Sequence, residues 1–121
     1  MCIRDSVYAD IKKKHSAHAI TSDVSIEETA HAAEFFCADG VIVTGTSTGH
    51  AASAREVEAV IGAAALPVLV GSGLTPANLA EYARAHGFIV GSSVKQGGAW
   101  AAPLDPDAVT AIARAFEALP A

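Results

Sequence analysis

Apolar residues along this chain fall into short continuous runs, separated by stretches in which they recur every three or four positions. Gly40–Gly45 (GVIVTG), Pro67–Gly71 (PVLVG) and Phe88–Gly91 (FIVG) are the runs. An uninterrupted apolar run is what a parallel strand covered on both faces requires. Val7–Lys12 instead alternates, which predicts a strand with one polar face. Between these strands the pattern turns helical. Ser25 to Asp39 predicts a helix with Ser25 as its cap and Glu27 and Glu28 in its first turn. Ser53 to Ala65 predicts a second, with Val57, Val60 and Ile61 on one face. TPANLAEYARAHG predicts a third, with Thr75 at the N-cap, Pro76 as first helical residue and Gly87 as C-cap. Asp105 and Pro106 repeat that device ahead of a fourth helix, DPDAVTAIARAFEAL.

Regular strand–helix alternation with short connections predicts an α/β fold with a parallel sheet and right-handed crossovers. Four βα units fit an open doubly wound sheet, or one half of a (β/α)8 TIM barrel. Two features favour the half barrel. The first strand carries Asp10, Lys12 and Lys14 at alternate positions, which suits the lumen of a barrel near its mouth. The dinucleotide fingerprint GxGxxG stands at no strand–helix junction, and VTGTSTGH lacks its spacing. A half barrel leaves its lumen face and two sheet edges open. It therefore calls for a missing N-terminal half, or for self-association.

Composition narrows the class. The 121 residues make one domain, 51 % hydrophobic but only 6 % aromatic and rich in alanine, as suits helices packed closely on a sheet. A net charge of −5 gives no general attraction for nucleic acid. No run approaches the length of a spanning helix, and no signal-peptide pattern is present, so no integral membrane segment is expected. Cys2 and Cys37 form neither a disulfide framework nor a metal spacing, which points to a reducing, cytoplasmic setting. MCIRDS (residues 1–6) has no periodicity and resembles the translation of a transposon-end sequence used in library preparation. It is read as a non-native scar, with residues 7–121 as the domain.

In a barrel the chemistry lies on the loops that follow the strands. The first, ADIKKKHSAH, offers Asp10, Lys12 and Lys14 as catalytic groups. A carboxylate and a lysine on one face can perform acid–base work, and a lysine can also form a Schiff base. Ile11 and Lys13 would face the helices. His15-x-x-His18 has metal-binding spacing but no third ligand nearby, so no metal and no cofactor are expected. The second loop, TGTSTGH, offers Thr46, Ser47, Thr48 and His50 to a substrate, with His50 able to act as acid or base. The third and fourth loops read Gly71-Ser72-Gly73 and Gly91-Ser92-Ser93, the latter followed closely by Lys95. Glycine permits close backbone approach, serine adds donors and lysine adds charge. Two such turns after adjacent strands point to one phosphate site, and so to a phosphorylated small molecule as ligand.

Other conspicuous residues read as structural. His31, Cys37 and the Phe35–Phe36 pair lie on a helix as packing or surface residues. His86 sits where a helix C-terminus favours a cation. Trp100 is expected to pack the last loop against the barrel mouth.

The motifs ADIKKKH, ADGVIVTGTSTG, PVLVGSGLTPANL, GFIVGSSVKQGGAW and PLDPDAV, in that order, resemble the BtpA/SgcQ family from about Val7 to the C-terminus. The resemblance implies a TIM barrel related to the phosphate-binding barrels, of which this chain covers the C-terminal half. It implies a role in photosystem I biogenesis, or a sugar- or nucleoside-related activity such as a lyase, isomerase or glycosyl-cleaving enzyme. Two departures stand out: Lys13 occupies a position that is apolar in the family, and the first four strands are missing.

Overall fold

A computed structural model describes residues 5–120 of the chain. Most of the MCIRDS segment, Cys2 included, lies outside the described residues. Four strands, β1 (Tyr8–Asp10), β2 (Gly40–Thr44), β3 (Val68–Gly71) and β4 (Gly87–Ile89), form one sheet. All three pairings are parallel and the spatial order is β1-β2-β3-β4. Right-handed crossovers that always step in the same direction put every connection on one face of the sheet. The doubly wound alternative needs a reversal in strand order, and the sheet contains none.

The two faces are correspondingly unequal. Val41, Val43, Val68 and Val70 are fully buried, in one cluster with Ala30, Val57, Val60, Leu79 and Tyr82 from the connecting segments. Alternation and register put Tyr8, Ile42, Leu69 and Ile89 on the other face. There Tyr8 is 42 % and Ile89 46 % exposed. The core is thus a single layer between sheet and helices.

The first helix, α1 (Ile26–Phe35), begins with a full capping box: Ser25 Oγ accepts from the Glu28 amide, and the Glu28 carboxylate accepts from the Ser25 amide, both at 3.1 Å. It stops four residues short of the expected Asp39. Cys37 takes φ +63°, and the Ala38 and Cys37 amides donate back to the Ala33 and Glu34 carbonyls. This is a Schellman ending with cysteine where glycine is usual, so the stop signal was absent from the sequence. Asp39 then ties the strands together: its amide donates to the Val7 carbonyl and its carboxylate accepts from the Val7 amide. The second helix, α2 (Ala54–Ala63), is capped by Ser53 and buries Val57 and Val60.

The third predicted helix does not form. Between β3 and β4 the chain makes turns and one 3-10 segment, Leu79–Tyr82. The Thr75 side chain caps no helix, although its amide donates to the Asn78 side chain at 2.8 Å. Leu79 and Tyr82 are both buried, because 3-10 geometry stacks residues three apart on one side. Gly87 opens β4 rather than capping a helix. His86 is no helix-terminal cation either: its Nδ1 accepts the Val68 amide at 3.1 Å, which requires that nitrogen to be unprotonated. After β4 come two 3-10 turns, Ser92–Val94 and Gln96–Gly98, and then α3 (Pro106–Glu117). Asp105 caps α3 as expected, accepting from Asp107 and Ala108. Trp100 is 76 % exposed and packs nothing against the sheet end. Phe35 and Phe36 are surface residues, each 79 % exposed.

Candidate functional site

The four loops after the strands gather at one end of the sheet, and side chains of the first reach the second and third. In the first, the strand ends at Asp10, so the alternation that would align Asp10, Lys12 and Lys14 stops there. Asp10 Oδ1 accepts the Lys12 amide at 3.2 Å, and both its oxygens lie 3.4 Å from Thr44 Oγ1. Thr44, the last residue of β2, also reaches the Lys12 carbonyl at 3.2 Å. With one proton to give, its hydroxyl serves either Asp10 or Lys12 at a time. The Lys12 ammonium turns to Glu56 in the first turn of α2 and forms an ion pair with it. Lys14 goes a third way: its Nζ donates to Ser72 Oγ at 2.9 Å, in the loop after β3. Asp10, Lys12 and Lys14 therefore reach three different places: the end of β2, the first turn of α2 and the loop after β3. Neither Thr44 nor Glu56 stands out in the sequence, since one looks like the end of an apolar run and the other like an ordinary helix-start acid.

The second loop is tied to the first. His15 Nε2 accepts the Thr48 amide at 3.2 Å and lies 3.0 Å from Thr48 Oγ1, while the His15 amide donates to the Thr46 carbonyl. Because that ring nitrogen accepts from an N–H, it carries no proton in this arrangement. His50 Nδ1 is 2.5 Å from Ser47 Oγ. His18 points away and donates from Nε2 to the Lys13 carbonyl. The two spaced histidines thus have separate partners, and no group of three metal-ligating side chains occurs among the described residues. A cavity of about 350 Å³ opens between Lys12, Thr44, Thr46, His50 and Glu56.

In the third loop Ser72 and Gly73 take φ +72° and +62°. At Gly73 a Cβ would overlap the backbone of His50 and Ala51, so only glycine lets the second and third loops pack this closely. Asn78 fixes the turn from the other side, donating to the Gly73 carbonyl at 3.0 Å. In the fourth loop Gly91 leads into the Ser92–Val94 turn. The Val94 and Lys95 amides close it onto the Gly91 and Ser92 carbonyls. The amides of Ser92 and Ser93 open that turn and so have no acceptor within it. Lys95 also bridges Leu104, which anchors the loop.

These two loops face a common space. A cavity of about 210 Å³ is lined by Gly49, Gly73, Thr75, Gly91, Ser92 and Ser93. Ser93 Oγ is buried and has no hydrogen-bond partner among the described residues, an arrangement that costs about 1–3 kcal/mol.

The model of the BtpA family matches residues 3–118. The chain belongs to the BtpA family. Among curated BtpA-like relatives, an uncharacterised mitochondrial protein of Caenorhabditis elegans is 57 % identical over 100 residues, covering 83 % of this chain and 36 % of that protein. An uncharacterised protein of Pyrococcus abyssi is 37 % identical over 117 residues, covering 96 % of this chain and 44 % of the relative. The photosystem I biogenesis protein BtpA of Synechocystis is 32 % identical over 113 residues, covering 92 % of this chain and 39 % of that protein. The chain therefore spans less than half the length of these relatives. No solved structure matches it. Among the described residues no helix is long and apolar enough to cross a membrane.

Proposed function

We propose that this chain is the C-terminal half of a cytoplasmic (β/α)8 barrel protein that binds a phosphorylated sugar or nucleoside-type metabolite. The phosphate would rest on Gly71–Gly73 and Gly91–Ser93, and the reacting end would face Asp10 and Lys12. One observation carries this reading: the third and fourth loops line a single cavity, into which the turn holding the unpartnered Ser93 hydroxyl is built. Sequential strand order and an open sheet face support the half barrel. Lys12, Glu56 and His50 around the neighbouring cavity supply acid–base groups within the same set of loops. A lyase, isomerase or glycosyl-cleaving reaction would use such groups.

The test is a thermal-shift comparison of sugar phosphates with their unphosphorylated parents. The phosphorylated set should raise the unfolding midpoint and the parents should not. Gly91 lines the cavity and has open space at its Cβ position, so Gly91→Trp puts bulk at the cavity wall and should abolish the shift. Equal shifts in wild type and Gly91→Trp would overturn the reading.

The Synechocystis relative's name favours a second reading, a non-catalytic assembly factor that uses its outer helices as a docking surface. In that case substitutions on the exposed faces of α1 and α3 should impair function, while Gly91→Trp should not.

A further inference from the structure

The cavity between the third and fourth loops offers backbone amides and serine hydroxyls, but these are neutral donors. A doubly charged phosphoryl group in a chain of net charge −5 needs a local cation as well. The ion pairs among the described residues engage Lys12 with Glu56 and Arg84 with Glu58. Lys14 differs from both. It crosses from the first loop to the third and gives its ammonium proton to a neutral hydroxyl, Ser72 Oγ, at 2.9 Å. Ser72 immediately precedes Gly73, which lines the cavity. The side chain is part-buried, so its charge is only partly screened by water. A lysine that is held in place by a neutral oxygen keeps its whole charge for a ligand.

Ser72 is the second half of the arrangement. It stands at φ +72°, a position that glycine would fill with less strain. The hydroxyl is what glycine lacks, and the hydroxyl is what Lys14 holds. From this pairing we infer that Lys14 is the cation of the anion site, anchored by Ser72, and that the ligand class is a phosphate monoester dianion. This inference rests on the phosphate reading above and assigns Lys14 to binding rather than to a lumen face shared with Asp10.

Titration with inorganic phosphate, followed by amide chemical shifts of the 121-residue chain, tests it. Wild type should bind, Lys14→Gln should weaken binding at least about tenfold, and Lys14→Arg should stay within about threefold. Lys13→Gln removes the same charge one residue away, from an exposed side chain, and should leave the affinity within about twofold. The unfolding midpoint without phosphate should differ little between Lys14→Gln and wild type, since the lost hydrogen bond is only part-buried and joins two loops. If wild type binds and Lys14→Gln binds equally well, or no worse than Lys13→Gln, the role of Lys14 is overturned while the phosphate site stands. If wild type shows no phosphate binding, the underlying reading fails and this inference with it.

Discussion

Ser72 shows how one residue can carry two opposing demands. Its positive φ costs an L-residue roughly 1 kcal/mol relative to glycine, yet its hydroxyl receives Lys14. Ser72→Ala keeps the strain and loses the bond, whereas Ser72→Gly relieves the strain and loses the same bond. Chemical denaturation should therefore find Ser72→Gly more stable than Ser72→Ala by about 1 kcal/mol. Tyr82 makes a second residue-scale case. Its hydroxyl donates to the Ala52 carbonyl at 2.7 Å, fastening the turn after β3 to the loop before α2. Burial, with a smaller push from the Glu81 charge, raises its pKa above the ordinary tyrosine value of 10.0. The phenolate is thus disfavoured in the folded state, so the stability it lends is complete below about pH 10 and is lost as pH rises beyond that. Tyr82→Phe should cost about 1 kcal/mol at neutral pH and should flatten the alkaline loss of stability. At this scale the sequence was informative about residue type and poor about direction. The lysines and serines of the site are plain to read, but Lys14 finding Ser72 depends on a strand that ends at Asp10, two residues earlier than the alternation suggests.

At the scale of elements, side-chain caps were legible and backbone caps were not. Ser25, Ser53 and Asp105 all cap where their hydroxyl or carboxyl groups predict. The end of α1 is set by Cys37 in the left-handed region, which no sequence rule assigns to cysteine. Cys37→Gly should raise stability by about 1 kcal/mol without moving any ligand-binding property, as thermal or chemical unfolding will report. The third helix did not form. Thr75 and Pro76 do open a turn, with the Asn78 side chain on the Thr75 amide, but the chain continues only as the 3-10 segment Leu79–Tyr82. That outcome matters for the site, because the same Asn78 holds the Gly73 carbonyl and thereby one wall of the cavity. Asn78→Ala should therefore lower stability by about 1–2 kcal/mol and weaken phosphate binding together, a coupling absent from Cys37→Gly.

For the molecule as a whole, the decisive fact is a sheet covered on one side. Apolar patterning predicted strands buried on both faces, and the helix-facing half of that prediction holds through Val41, Val43, Val68 and Val70. The other half has no partner among the described residues: Tyr8 and Ile89 are exposed, and β1 and β4 are open edges. Periodicity reports that a face is apolar, but not which segment covers it, so the strands were legible while their second cover was not. Sedimentation of the 121-residue chain should accordingly show self-association, and a cooperative unfolding transition from a verified monomer would contradict the half-barrel account. The phosphate cradle itself lies in the two loops at the sheet's end, and amide chemical shifts on titration with inorganic phosphate probe it. Gly73 and the Gly91–Ser93 amides should shift together with one shared dissociation constant; shifts confined to one loop, or absent from both, would rule out a common cradle.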